Sequence, residues 1–158
     1  MANLIEERLE ELGIALPVAP AKGGNYKPIK RFSNEKLAYF SGFGSTTESF
    51  QIFGKLGKEV TREQGYEAAK SCILNLLAAF QREVGSLDQI GSFVKMLVFV
   101  SSDNEFYQQP EVANGATDLL VDIFGEEIGL PARSAIGVNV LPGNIPVEIE
   151  VLVELKDK

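Results

Sequence analysis

Two charged residues near the C-terminal end of the chain are the ones best placed to do chemistry. Arg133 stands just inside an apolar segment after Pro131, where a β-sheet gains nothing from a guanidinium for its own sake. Glu148 lies further on, in a run where Val147, Ile149, Val151 and Val153 alternate with Glu148, Glu150, Leu152 and Glu154. One face of that run is core and the other carries carboxylates. A planar guanidinium with paired donors suits a carboxylate ligand, and a carboxylate beside water suits the positioning of a nucleophile. Taken alone, Arg133 reads better as a strand-end cap or a bridge between subunits. Glu148 reads equally well as part of the solvated side of an edge strand.

The rest of the composition narrows the chemistry. The chain has 158 residues and no histidine, which removes the usual general base, the commonest metal ligand and every Ser-His or Cys-His pair. No metal site and no cofactor are expected. The lone Cys72 sits beside the apolar stripe of a helix and reads as a buried structural thiol. A net charge of −7, with Lys27, Lys30 and Arg31 as the densest basic stretch, opposes broad affinity for nucleic acid or anionic membrane. No apolar run approaches the roughly 20 residues of a membrane span, and the N-terminus is unlike a signal peptide. The expectation is a cytoplasmic protein with a small-molecule partner and no membrane or nucleic-acid partner.

The elements that position these residues follow from periodicity. Residues 3–12 form a short amphipathic helix, stopped by Gly13. The segment 17–28, rich in proline and glycine, runs as irregular chain and carries Tyr26. Residues 37–44 alternate as a strand whose end is weakened by Gly42 and Gly44, positions where a ligand or backbone could approach closely. Thr61 to Gln64 is a capping box opening a helix that Gly85 ends. Residues 93–100 read as a central strand buried on both faces. A second helix spans about 110–124. Residues 130–155 read as a two-stranded hairpin turning at Leu141-Pro142-Gly143-Asn144, where proline presets the turn and glycine tolerates positive φ.

This order gives one α+β domain over 1–158, a mixed sheet with two main helices on one face and a helical extension over 1–16. Two helices leave the second face bare, so other subunits are expected to cover it. If the last two strands pair as a hairpin, Glu148 lies opposite about Gly137 to Asn139. That is roughly four to six residues from Arg133 and more than about 10 Å at ~3.3 Å per residue. Both residues would then serve one small substrate only if one came from a neighbouring subunit.

Pro131-Ala132-Arg133-Ser134, then Leu141-Pro142 and Val147-Glu148-Ile149-Glu150, resembles the diagnostic segment of the RidA/YjgF family of reactive-intermediate (enamine/imine) deaminases. Ser41-Gly42, Lys95 with Phe99-Val100, and Asn114 match the family further upstream. The resemblance covers about residues 20–155 and implies a chorismate-mutase-like fold of the bacillus type and a homotrimer with clefts between subunits. It implies that Arg133 grips a substrate carboxylate and Glu148 positions the water that attacks the C=N carbon. Tyr26, Ser41, Gly42, Asn114 and the Ala135 carbonyl match pocket positions. The implied reaction is hydrolysis of 2-imino or enamino acids to 2-keto acids and ammonia. The alternative is a non-catalytic trimer that binds small keto or hydroxy acids. A ribonuclease activity, often attached to such relatives, is opposed by the acidic composition. Two departures stand out: Gly137 replaces a glutamate common in deaminase members, and Ser41-Gly42-Phe43 replaces the more usual SGQ.

Overall fold

A computed structural model describes residues 3–157 of the chain. The N-terminal helix α1 covers Leu4–Glu11. After an irregular stretch come strands β1 (Ile29–Phe32), β2 (Leu37–Phe40) and β3 (Phe43–Gly44). Helix α2 follows over Arg62–Glu83, then β4 (Ile90–Ser101) and α3 (Gln109–Phe124). A short α4 (Glu126–Gly129) leads into β5 (Ala132–Val138) and β6 (Val147–Leu155).

The helix boundaries follow their local chemistry. At the start of α2 the Thr61 hydroxyl accepts the Gln64 amide at 3.1 Å and the Gln64 side chain accepts the Thr61 amide at 2.9 Å, completing the capping box. Gly125, at φ 77°, ends α3 in a conformation that disfavours a side chain. One stripe of α2, including Ile73, Leu76, Leu77 and Phe80, and one stripe of α3, including Val112, Ala116 and Leu120, are wholly buried. They meet Met96, Val98 and Val100 of β4 and the alternate valines and Ile149 of β6 in one continuous core. Cys72 is fully enclosed there, its thiol donating to the Val147 carbonyl at 3.4 Å.

The sheet runs β1-β2-β6-β4-β5, with β3 also paired to β6. The expected hairpin does not form. β5 lies parallel to β4 on one side, and β6 lies antiparallel to β4 on the other. The reason lies in the 139–146 connection, which steps over the end of β4. The Ser101 amide donates to the Pro146 carbonyl at 2.9 Å and the Gly54 amide to the Asn144 carbonyl at 2.9 Å, so the connection is tied to its surroundings and does not close on itself. The turn chemistry is nevertheless as expected, with Gly143 and Asn144 both at positive φ. The parallel β4–β5 pair needs a crossover, which α3 and α4 supply.

Alternation also breaks where the sequence suggested one strand over 37–44. Ala38, Phe40 and Phe43 all point to the core, so the chain shifts phase at Ser41-Gly42 and Gly42 turns to the opposite face. The other face of the sheet is not covered by any described element. It exposes Val94, Tyr39 and Ile136 and leaves Leu97 and Phe99 half-buried, so within one copy β4 is buried on its helix face alone, as two helices on one side require. The two sheet edges differ as well. β1 is short and carries Lys30 and Arg31, whereas β5 is longer and has Arg133 as its one charged residue.

Candidate functional site

Neighbouring residues in a sheet row point to the same face. Arg133 shares its row with Met96, which faces the helices, whereas Glu148 shares its row with Phe99, which faces away. The two residues therefore project from opposite faces of the sheet. They are also three rows apart with β4 between their strands, roughly 14 Å from backbone to backbone at standard strand spacings. The sequence reading placed them too far apart for one small ligand. That separation holds, though its cause is the intervening strand and not a hairpin ladder.

The first group of residues forms around Arg133, under the beginning of α3. Its Nη1 donates to Asn114 Oδ1 at 2.8 Å and to Thr117 Oγ1 at 3.1 Å, and its Nη2 approaches the Pro110 carbonyl at 3.4 Å. Pro110, Asn114 and Thr117 recur at i, i+4 and i+7, so a single stripe of α3 cradles the guanidinium. Asn114 thus reaches Arg133 directly. Ala135, two residues along β5, packs against the same side of the core. Gly137 follows on that side, and a methyl group there would lie 2.7 Å from Ser102 Oγ and 2.9 Å from Gln109 Nε2. Gln109 holds the Phe106 carbonyl at 2.7 Å and Ser102 Oγ at 3.3 Å. The space that a glutamate would take at 137 is filled by the Gln109 amide. Neither Gln109 nor Thr117 emerged from the sequence, although the i, i+4, i+7 spacing of Pro110, Asn114 and Thr117 was there to be read.

The second group forms around Glu148, on the other face. Gly44 is its partner in the ladder, and Gly42 lies so close that an added methyl would sit 2.0 Å from Glu148 Oε1. The phase shift at Ser41-Gly42 is what brings the bare Gly42 backbone against this carboxylate. Ser41 Oγ donates to the Lys27 carbonyl at 2.7 Å and anchors the loop. Tyr26 and Gly42 line a cavity of about 140 Å³ together with Pro20, Lys22 and Pro28. The Tyr26 hydroxyl accepts the Gly23 amide at 3.0 Å. Burial, and then the charge of Glu150, raise the Glu148 carboxyl above the ordinary glutamate range. Glu150 in turn accepts the Tyr39 hydroxyl at 3.2 Å. Behind β3, Asn75 of α2 donates to the Gly44 and Thr46 carbonyls at 3.0 and 2.9 Å, fixing the strand that presents Gly42; sequence periodicity had not marked it.

Seven expected site residues thus fall into two groups: Arg133, Asn114 and Ala135 on one side, and Tyr26, Ser41, Gly42 and Glu148 on the other. One copy does not bring the groups together. Among the described residues no cluster of His, Cys, Asp or Glu could hold a metal ion, and no helix is long and apolar enough to cross a membrane.

A mixed sheet with its helices on one face, in this strand order, defines the α+β chorismate-mutase-like fold. The family model described as "YjgF/chorismate_mutase-like, putative endoribonuclease" matches residues 6–155, and the chain belongs to the RidA/YjgF family. It is 38% identical to Protein TCP17 of Trypanosoma cruzi over 154 residues, 97% of this chain and 95% of that one. Among solved structures it resembles the Agrobacterium tumefaciens protein Atu1372, of unknown function, at 36% identity and a TM-score of 0.87, covering 98% of this chain and 94% of that one. It also resembles RidA from an Antarctic Psychrobacter at 25% identity and a TM-score of 0.58, over 87% and 94% of the two chains. The Atu1372 likeness is extensive enough to take in α1.

Proposed function

We propose that the protein hydrolyses reactive 2-imino acids, or their enamino tautomers, to 2-keto acids and ammonia in a cleft between two copies of the chain. The observation that carries this reading is the split site. A carboxylate-binding group and a water-positioning group, each locally ordered, project from opposite faces and become useful to one small substrate only across an interface. The bare face with Tyr39, Val94 and Ile136, and the edge along β5, where Arg133 is the one charged residue, supply surfaces for such an interface. A homotrimer is the assembly that this reading takes.

In the proposed cleft Arg133 holds the substrate carboxylate and fixes the C=N carbon relative to the neighbouring copy. Glu148 of that copy accepts a hydrogen bond from water and aims its oxygen at the carbon. The protonated imine is already electrophilic, so no side-chain nucleophile is needed. Water adds to carbon while one of its protons passes to Glu148. The resulting carbinolamine takes that proton from Glu148 on nitrogen. As the C–N bond breaks, Glu148 draws off the remaining hydroxyl proton, the ketone forms, and the departing ammonia carries that proton away as ammonium, with Glu148 restored. The raised affinity of Glu148 for protons brings it nearer the pH at which it must take and return one. Tyr26, Ser41 and the bare Gly42 backbone would wall the water side, and Ala135 the carboxylate side.

The test is direct. 2-Iminobutyrate or 2-iminopropionate, generated by an amino-acid oxidase, is followed with and without the protein. Ketone formation no faster than in buffer, across several imino acids, refutes the enzyme. A second reading, a carrier or sensor of small keto or hydroxy acids, draws on the fact that the Arg133 group is assembled within one copy and does not depend on Glu148. Calorimetric binding of such acids without turnover, lost in Arg133→Ala, supports that reading.

A further inference from the structure

A guanidinium can offer a carboxylate either its end, through both Nη atoms, or its side, through Nε and Nη2. In this chain the choice is made before any ligand arrives. Nη1 carries two protons, and both have acceptors, Asn114 Oδ1 at 2.8 Å and Thr117 Oγ1 at 3.1 Å. Among the described residues none accepts the Nε proton, and the two Nη2 protons have between them a single long contact, to the Pro110 carbonyl at 3.4 Å. Thr117 is the less expected of the two partners. It is 5% exposed, and its own hydroxyl proton points to the Asn114 carbonyl at 3.4 Å, one turn back along α3. That bond leaves a lone pair of Thr117 facing Arg133. A buried hydroxyl with its donor spent on the backbone is an acceptor of fixed direction.

We infer that Thr117 is a positioning residue which, with Asn114, occupies Nη1 and so presents the Nε–Nη2 edge of Arg133 to the ligand carboxylate. The inference rests on the proposed carboxylate role of Arg133 and adds how that role is set. It also narrows the ligand class. One free edge takes one carboxylate, and the nearest lysine of the sheet, Lys95, is spent on the far face, donating to Ser134 Oγ at 2.9 Å. Within one copy, and among the described residues, no second cation stands beside Arg133, so the Arg133 half of the site is built for a single carboxylate, as in monocarboxylic imino or keto acids.

The test compares Thr117→Val, Thr117→Ser, Asn114→Ala and Arg133→Ala in the full-length protein, with 2-ketobutyrate as the calorimetric probe. Thr117→Val keeps the shape of the side chain and removes the acceptor, and should weaken 2-ketobutyrate binding about tenfold, the effect of one hydrogen bond to a charged group. Thr117→Ser should restore binding to within about twofold of the parent. The exposed Asn114→Ala change gives an independent arm should Thr117→Val fold poorly, and should weaken binding to a similar degree. In nitrogen-15 spectra the Nη resonances of Arg133 should be distinct in the parent and merge in Thr117→Val as rotation about the guanidinium is freed, a change that a general packing defect elsewhere would not produce. Binding lost in Arg133→Ala but untouched in Thr117→Val and Asn114→Ala overturns the positioning role alone. Binding untouched in Arg133→Ala overturns the carboxylate reading and this inference with it.

Discussion

The side chains of Arg133 and Glu148 leave the sheet on opposite faces, three ladder rows apart, with the whole of β4 between their strands. Two residues so arranged can meet one small molecule only when two copies of the chain meet.

Mixing therefore makes a sharp test. Arg133→Ala and Glu148→Gln should each abolish imine hydrolysis alone. Denatured together in equal amounts and refolded, they should regain roughly a quarter of the parent activity, because in a ring of identical contacts one interface in four joins an intact Arg133 to an intact Glu148. Refolded mixtures with no activity, despite subunit exchange seen by native mass spectrometry, would rule out the shared cleft.

Gly42→Ala places a methyl where Glu148 Oε1 now lies, at an unmodified separation of 2.0 Å. The half-buried carboxylate can swing aside, so the fold should survive while the water position is lost. The expected result is a fall in kcat/KM of about ten- to a hundredfold with little change in thermal midpoint. Equal activity in the variant would detach Gly42 from the site.

The raised proton affinity of Glu148 has two readouts of opposite sense. For stability, the native chain holds this proton to higher pH than the unfolded chain does, so between the ordinary glutamate range and the raised value stability falls as pH rises. Glu148→Gln should therefore be more stable than the parent at neutral pH, and the difference should close as pH falls below the glutamate range. For catalysis, the ionised form is the acceptor, so kcat/KM should fall as pH drops through the raised value. Urea midpoints and a pH–rate profile measure the two.

Asn75 is 3% exposed and satisfies two carbonyls of the β3 segment. Asn75→Ala leaves both without partners in a closed environment and should cost about 2–3 kcal/mol in urea unfolding. It should also loosen Gly42 and reduce activity more than the loss of stability explains. A change below about 0.5 kcal/mol would show that water replaces the amide.

What could be read from the sequence divides along physical lines. Helices α2 and α3 were legible because capping chemistry and an apolar stripe are local signals, and the buried Cys72 followed from its place beside that stripe. The PARS and VEIE segments supplied the candidate site residues through resemblance. The partner of each strand was not legible. Alternation assigns the faces of 132–138 and 147–155, but the same pattern fits a hairpin or two strands flanking a third, and only the packing of residues 139–146 over β4 decides. The phase shift at Ser41-Gly42 escaped for a related reason, since two glycines blur period-two patterning. Thr117 shared a helical stripe with Asn114 that the sequence did carry, whereas Gln109 and Asn75 were not legible, because a polar residue on a helix becomes meaningful only when its neighbours in space are known.

The unequal edges of the sheet bear on how large the assembly can grow. Strand addition needs a receptive edge on each side, and here only β5 offers one, since β1 meets any newcomer with Lys30 and Arg31. Copies cannot chain edge to edge into an extended ribbon. Pairing through β5 alone ends at two copies, so the proposed ring has to close through the uncovered face of the sheet, and a closed ring of that kind has a fixed number of clefts.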